Sequence, residues 1–143
     1  MRKILLNLCT VAALAFIPLQ LDAKGMQKRS NPFLIQHGLP HYTKILMQRW
    51  DDKQLNLSQT QKNELLKVRK ETLSHIKRLK PVIVSLEKEI INATKTGKSP
   101  KSLQGKVYKL AKLRAQATMA HLRCIANTKR ILTKRQFELL KSH

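Results

Sequence analysis

Acidic side chains are scarce in this 143-residue chain: Asp and Glu number 8 against 29 Lys and Arg, and the formal net charge is +21. So few carboxylates leave no pair placed for general acid–base work. Aromatic residues make up 4% of the chain, with Trp50 the one tryptophan, which leaves no stacking platform for nucleic-acid bases. Zinc-finger spacing and a helix-turn-helix pattern are missing too, so nucleic acid is a poor partner for this basic chain. Glycine occurs 4 times and never as a phosphate-cradling loop. There are 2 cysteines, Cys9 and Cys124. Cys9 lies in an N-terminal apolar run, so Cys124 is alone in the remainder and no internal disulfide is open to it there. It is a small apolar core residue, a free thiol or one end of an intermolecular bridge.

The long hydrophobic runs stop early. Basic Met1-Arg2-Lys3 precedes an apolar run from Ile4 to Leu21, which ends at Leu21-Asp22-Ala23. The pattern predicts a secretory signal peptide over residues 1–23, cleaved near Ala23. Asn7, Thr10, Pro18 and Gln20 break the run and argue against a membrane anchor. Cys9 comes too early, behind bulky Leu8, for a lipoprotein. After residue 23 no apolar stretch is long enough to span a bilayer, which points to an exported soluble protein without stable membrane insertion. Cleavage removes Arg2, Lys3 and Asp22, and so takes one unit from the +21.

Residues 24–39 mix Lys, Arg, Ser, Asn and Gln around Gly25 and Pro32 and are expected to be a flexible leader that ends in the turn Gly38-Leu39-Pro40. The domain proper is 40–143. A short helix is expected from about Pro40 to Gln54, with Ile45, Leu46 and Trp50 on its apolar side. The first long helix starts at Ser58. Its apolar residues Leu66, Leu73, Ile76, Leu79, Ile83, Leu86 and Ile90 recur every three, four or seven positions, the period of a helical seam. Pro81 predicts a kink near Lys77–Pro81, because it lacks an N–H and its ring crowds the carbonyl four residues back. Gly97 suits the left-handed residue that ends a helix.

Ser99-Pro100 then reads as N-cap and first turn of a second long helix reaching about Arg130. Its stripe is Leu103, Val107, Leu110, Ala117, His121, Cys124 and Thr128, with Lys101, Lys109, Lys112, Arg123 and Arg130 opposite. Ala111, Ala115, Leu122 and Ala126 form a weaker second strip, so this helix is expected to pack on two sides. A short last helix follows Thr133 and ends near Leu140. The tight connection at Gly97 makes the long helices antiparallel neighbours of about 30–39 residues each, roughly 45–58 Å. Such a hairpin leaves apolar surface uncovered, which predicts a homodimer.

Two segments share one pattern 75 residues apart: Leu57-Ser58-Gln59-Thr60-Gln61 and Leu132-Thr133-Lys134-Arg135-Gln136. Each is a capping box. The hydroxyl of Ser58 or Thr133 accepts from a free N–H of the first turn, and Gln61 or Gln136 reaches back to the N-cap N–H. Leu57 and Leu132 supply a hydrophobic staple. The two segments, the signal peptide and the basic helical hairpin resemble the Spy/CpxP family of periplasmic proteins, named for an LTxxQ motif. Met119-Ala120-His121-Leu122 and the following Ile131-Leu132-Thr133 resemble the end of that family's last long helix. The likeness covers about Leu55–Leu140, with Ser58 standing for Thr in the first copy.

The resemblance implies an all-α, cradle-shaped, dimeric protein of the bacterial periplasm that acts in envelope stress. Three roles share that fold: an ATP-independent chaperone (holdase) for unfolded or misfolded periplasmic proteins, an inhibitory accessory protein bound to an acidic sensor-kinase domain, and a heavy-metal-binding or sensing protein. The first is the leading expectation, with no enzymatic activity and no cofactor. Client contacts are expected at Lys70, Lys77, Arg78, Leu79 and Ile83 on the first long helix and at Lys109 and Lys112 on the second. Long-range attraction would speed capture of anionic partners, although a charge run is also what a plain solvated face looks like. For the metal role, relatives that respond to metals place a histidine where His121 stands, three residues before Cys124. Zinc, copper or nickel suit that pair, yet both residues also fall on the apolar stripe as ordinary core positions. No carboxylate accompanies them; Arg69 and Lys70 stand at that level of the first helix. His37 and His41 have metal-ligand spacing on a helix, but Gly38 and Pro40 work against one there. His121 and Cys124 could also form a thiolate pair, though a spacing of three is common by chance.

Overall fold

The computed structural model describes residues 31–142. The expected signal peptide and residues 24–30 of the expected leader lie outside the described residues. Within them the chain is all helical, with no strand: α1 (Tyr42–Gln48), α2 (Gln59–Lys95), α3 (Pro100–Ile131) and α4 (Lys134–Lys141). None of these helices is long and apolar enough to cross a membrane. At 37 and 32 residues, α2 and α3 span about 55 and 48 Å.

Local chemistry sets the ends. Ser58 and Thr133 each accept from the backbone N–H three residues on, and Gln61 and Gln136 each return a bond to the cap N–H, so both capping boxes are complete. Ser99 caps α3 with Pro100 in its first turn. Past Lys95 the Gly97 N–H bonds Thr94 O and the Lys98 N–H bonds Ala93 O, with Gly97 at φ +75°. That is a Schellman ending, which occupies carbonyls α2 would leave bare. Pro81 sits within α2 on its exposed side, and the helix is continuous past it.

α1 is shorter than its pattern suggested and stops at Gln48. Asp52 ends it: its carboxylate takes the Arg49 side chain at 2.6 Å and the Gln54 N–H at 2.7 Å, which commits residues 49–54 to turns. The Arg49 guanidinium holds that carboxyl below its usual range.

Contacts join opposite ends of the long helices. Gln61 reaches Ile131 near the start of α2, Glu87 pairs with Arg114, and Glu89 meets Lys106 at 2.8 Å near the start of α3. The main core lies at the end away from the Gly97 connection, where Leu46, Leu55, Leu65, Leu132 and Leu140 pack with Tyr42, Trp50, Leu57 and Phe137 around them. Towards the far end Ile83, Leu86 and Ala117 continue the seam between α2 and α3.

One register differs from expectation. Leu65 is 1% exposed and belongs to the core, whereas Leu66, placed on the stripe by spacing, is 46% exposed. Leu73 and Val107 are likewise exposed. The seam between two helices is narrow, and a 3.6-residue period drifts off a seven-residue one, so outlying stripe members turn to solvent. The second expected strip on α3 is only partly covered: Ala115 and Leu122 are half-buried, Ala111 and Ala126 exposed.

The part of the expected flexible leader that is described, residues 31–39, is held against α3. Phe33 O accepts from Arg114, the Leu34 N–H bonds Thr118 Oγ1 at 2.7 Å, and Pro32 is buried. Polar composition pointed to a free tail; the single ring of Phe33 and two backbone hydrogen bonds tie it down.

Candidate functional site

The exposed side of α2 combines two residue types at helical spacing. Leu66, Lys70, Leu73 and Lys77 follow steps of four, three and four, so they share one face. All four are exposed, and Ile91 continues the apolar component at 52%. Lys70 also borders a shallow pocket with Lys67, Glu71, Ser74, His75 and Arg78. An adjoining groove between α2 and α3 is lined by Val68, Glu71, His75, Arg123, Cys124 and Asn127. Among the described residues, Lys67, Lys70, Lys77, Arg78 and Lys80 have no carboxylate within ion-pair distance; the ion pairs present involve Arg49, Lys62, Lys106, Arg114 and Lys141. Their charge is therefore presented to whatever approaches.

Most residues expected to touch a client are placed where contact is open. Lys70, Lys77, Arg78, Lys109 and Lys112 are exposed and Leu79 is half-buried. Ile83 is a correction: it is 0% exposed, locked in the seam beside α3, and offers no surface. The apolar contribution on α2 comes from Leu66 and Leu73 instead, which periodicity had assigned to the core.

The motif residues are brought together. Gln61 Nε2 donates to Gln136 Oε1 at 2.8 Å, and Gln136 Nε2 donates to Leu55 O at 2.8 Å and lies 3.2 Å from Gln61 Oε1. Leu57 and Leu132 lie in the surrounding core. Two local helix starts thus become one cross-link at the base of the fold, with Ser58 and Thr133 on its rim.

His121 and Cys124 are buried on α3, as stripe positions. His121 Nε2 donates to Pro40 O at 3.1 Å, which leaves Nδ1 as a lone-pair nitrogen, buried and without a partner. Its ring stacks on His41 with centroids 4.5 Å apart and 17° between planes, and Phe33 covers it at 5.1 Å. Cys124 Sγ lies 3.8 Å from Thr43 Oγ1. Among the described residues no group of three or more His, Cys, Asp or Glu is gathered that could hold a metal ion.

Burial, and secondarily the neighbouring His41, push the His121 pKa below its ordinary value. The packed state therefore binds fewer protons than the open one, and its stability is full above about pH 6.5 and declines as pH falls below it. The groups facing the ring are His41 and Phe33, with Arg114 and Cys124 a turn or two away on α3. We expect a lower melting temperature at about pH 5 than at about pH 7.5, and a smaller difference in His121→Phe, which keeps a ring but cannot titrate. An equal difference in both proteins would remove the assignment to His121.

Phe33, Arg114 and Thr118 were not singled out from sequence, and His41 was considered only as a metal partner of His37. Phe33 carried a weak signal, an aromatic in a chain poor in them and inside a polar stretch. Arg114 and Thr118 carried none, because their bonds to Phe33 O and the Leu34 N–H exist only once the segment has folded back on α3.

Compared with family models, with curated proteins and with solved structures, the chain matches none.

Proposed function

We propose that this chain is a periplasmic, ATP-independent holdase of the Spy/CpxP type that takes up non-native proteins on the apolar and basic face of α2. The observation that supports it is the alternation of exposed Leu66 and Leu73 with unpaired Lys70 and Lys77. Lysine stems add apolar contact beside the leucines while their ammonium groups stay solvated, which suits many sequences rather than one. In this reading the chain is exported by a signal peptide cleaved near Ala23 and serves in envelope stress. α2 and α3 form an antiparallel hairpin that bends at Pro81 into a cradle, and a second copy covers part of its length.

The test is aggregation of a chemically denatured client without ATP. Suppression at near-stoichiometric ratios is expected, and no suppression at any ratio would overturn the reading in favour of a single-partner regulator. Replacing Leu66 and Leu73 together by Ser is expected to abolish most suppression while changing stability by about 0.5 kcal/mol or less per site, since both are exposed. Association is also expected to slow several-fold between roughly 0.05 M and 0.5 M salt, as screening shortens the reach of Lys70 and Lys77. A rate indifferent to salt would remove charge steering.

A further inference from the structure

Residues 31–40 lie on α3 in the way a bound polypeptide would. The Phe33 carbonyl accepts from Arg114 Nη1 at 3.0 Å, and the next N–H, that of Leu34, donates to Thr118 Oγ1 at 2.7 Å. Both are backbone contacts, which any sequence can make. One side chain is read: the Phe33 ring sits against His121, which is backed by His41.

The receiving groups on α3 are set independently of the segment. The other Arg114 nitrogen is held by Glu87, and the Thr118 hydroxyl donates to the Arg114 carbonyl at 2.9 Å, which turns a lone pair towards the visitor. Thr118 and His121 are 5% and 4% exposed, with the segment on them. The segment itself is lightly engaged: Leu34 and Ile35 remain 56% and 44% exposed. A third bond to α3 comes from the end of the segment, where Pro40 O accepts from His121 Nε2 at 3.1 Å. The bonds from Asn31 to Gln36 O, from Gln36 to Phe33 O and from the Phe33 N–H to Asn31 Oδ1 are internal and survive its departure.

We propose that Arg114, Thr118 and His121 form a binding site for an aromatic-bearing segment of a non-native polypeptide, and that residues 31–40 occupy it as an internal stand-in which such a segment displaces. This rests on the holdase reading and adds a second site, with a stated preference, to the open face of α2. A clamp that reads one ring and three backbone groups, Phe33 O, the Leu34 N–H and Pro40 O, selects for exposed Phe or Tyr, the residues a folded protein hides and an unfolded one shows. The stand-in keeps the site covered when no such segment is present; of its ten residues only Pro32 is buried, and an incoming segment replaces the three backbone contacts it gives up.

The test uses the full-length chain and two short fluorescein-labelled peptides, one with Phe-Leu in a Ser/Ala background and one with Ala for that Phe. Phe33→Ala is expected to bind the Phe peptide about tenfold tighter than wild type does, with no gain for the Ala peptide. Adding Thr118→Val, which keeps shape but loses the acceptor, should reverse the gain. In the wild type, where folding is not in question, saturating Phe peptide is expected to speed hydrogen exchange of the Leu34 amide about tenfold. An unchanged Leu34 exchange rate, or equal gains for both peptides, would overturn the proposal. If wild type suppresses aggregation while these signals are flat, the site fails and the holdase reading stands. If Leu34 is released by peptide but aggregation is never suppressed, the site stands and the holdase reading fails.

Discussion

Replacing Gln136 by alanine is expected to cost about 2–4 kcal/mol of stability, far more than a surface glutamine normally would. Gln136 is 8% exposed and serves three groups at once: its oxygen takes the Thr133 N–H at 2.9 Å, and its nitrogen reaches Leu55 O and the Gln61 amide. Alanine leaves the buried Leu55 carbonyl without that donor, opens the α4 cap and takes from Gln61 its amide partner across the fold, while Gln61 keeps Ile131 O and the Ser58 N–H. Ser58→Ala, which removes one exposed capping hydroxyl, should cost only about 1 kcal/mol. The difference corresponds to a drop in melting temperature on the order of 10 °C for Gln136→Ala. A double-mutant cycle with Gln61→Ala separates capping from cross-linking: the two losses should fall short of additive by about 1 kcal/mol, since either change breaks the same amide pair. Additive losses, or a Gln136→Ala penalty no larger than that of Ser58→Ala, would show two independent caps.

The adjacent leucines of α2 provide the second large effect. Leu65→Ala is expected to cost about 2–5 kcal/mol, because Leu65 is enclosed by Leu46, Leu55, Leu132 and Leu140 and truncation leaves a cavity in the main core. Leu66→Ala, one position along, should change stability by about 0.5 kcal/mol or less. Urea denaturation of the two variants reads the contrast directly. Equal penalties would mean that Leu66 is covered in the working protein, as a second copy on this face of α2 would do, and sedimentation of the Leu66 variant would then show loss of that assembly.

This pair also marks the limit of pattern reading. Both residues are leucines, both fit a helix, and spacing favoured Leu66 because it falls seven before Leu73. A stripe establishes that some face is buried; which residue at its margin is buried depends on the angle at which the neighbouring helix lies. The same holds for Ile83, on the stripe and expected at the surface, yet wholly enclosed. Long helices with strong caps were legible for a different reason. Capping and termination act within four residues, so Ser58, Gly97, Ser99, Pro100 and Thr133 specify their helix ends before any tertiary contact exists.

The candidate surface divides in the same way. Lys70, Lys77, Lys109 and Lys112 could be placed outside because a charged ammonium is costly to bury. Helical spacing puts Leu66 and Leu73 on one face with Lys70 and Lys77, but that this face stays open was decided only when α3 took another side of α2. His121 and Cys124 were readable as stripe residues, but nothing in the order of residues brings His41 and Phe33 onto that ring from some eighty positions away.

Sequence alone determined the all-helical class, the ends of the two long helices, the start of α4 and the strongly basic surface, since propensity, capping and charge are properties of short stretches and of composition. Tertiary structure decided that Gln61 and Gln136 grip each other, that Leu65 rather than Leu66 is core, and that residues 31–40 lie across α3. Each of these is a pairing between distant positions, and such pairings are selected only when packing and hydrogen bonding across the whole fold outweigh the entropy of bringing the chain together.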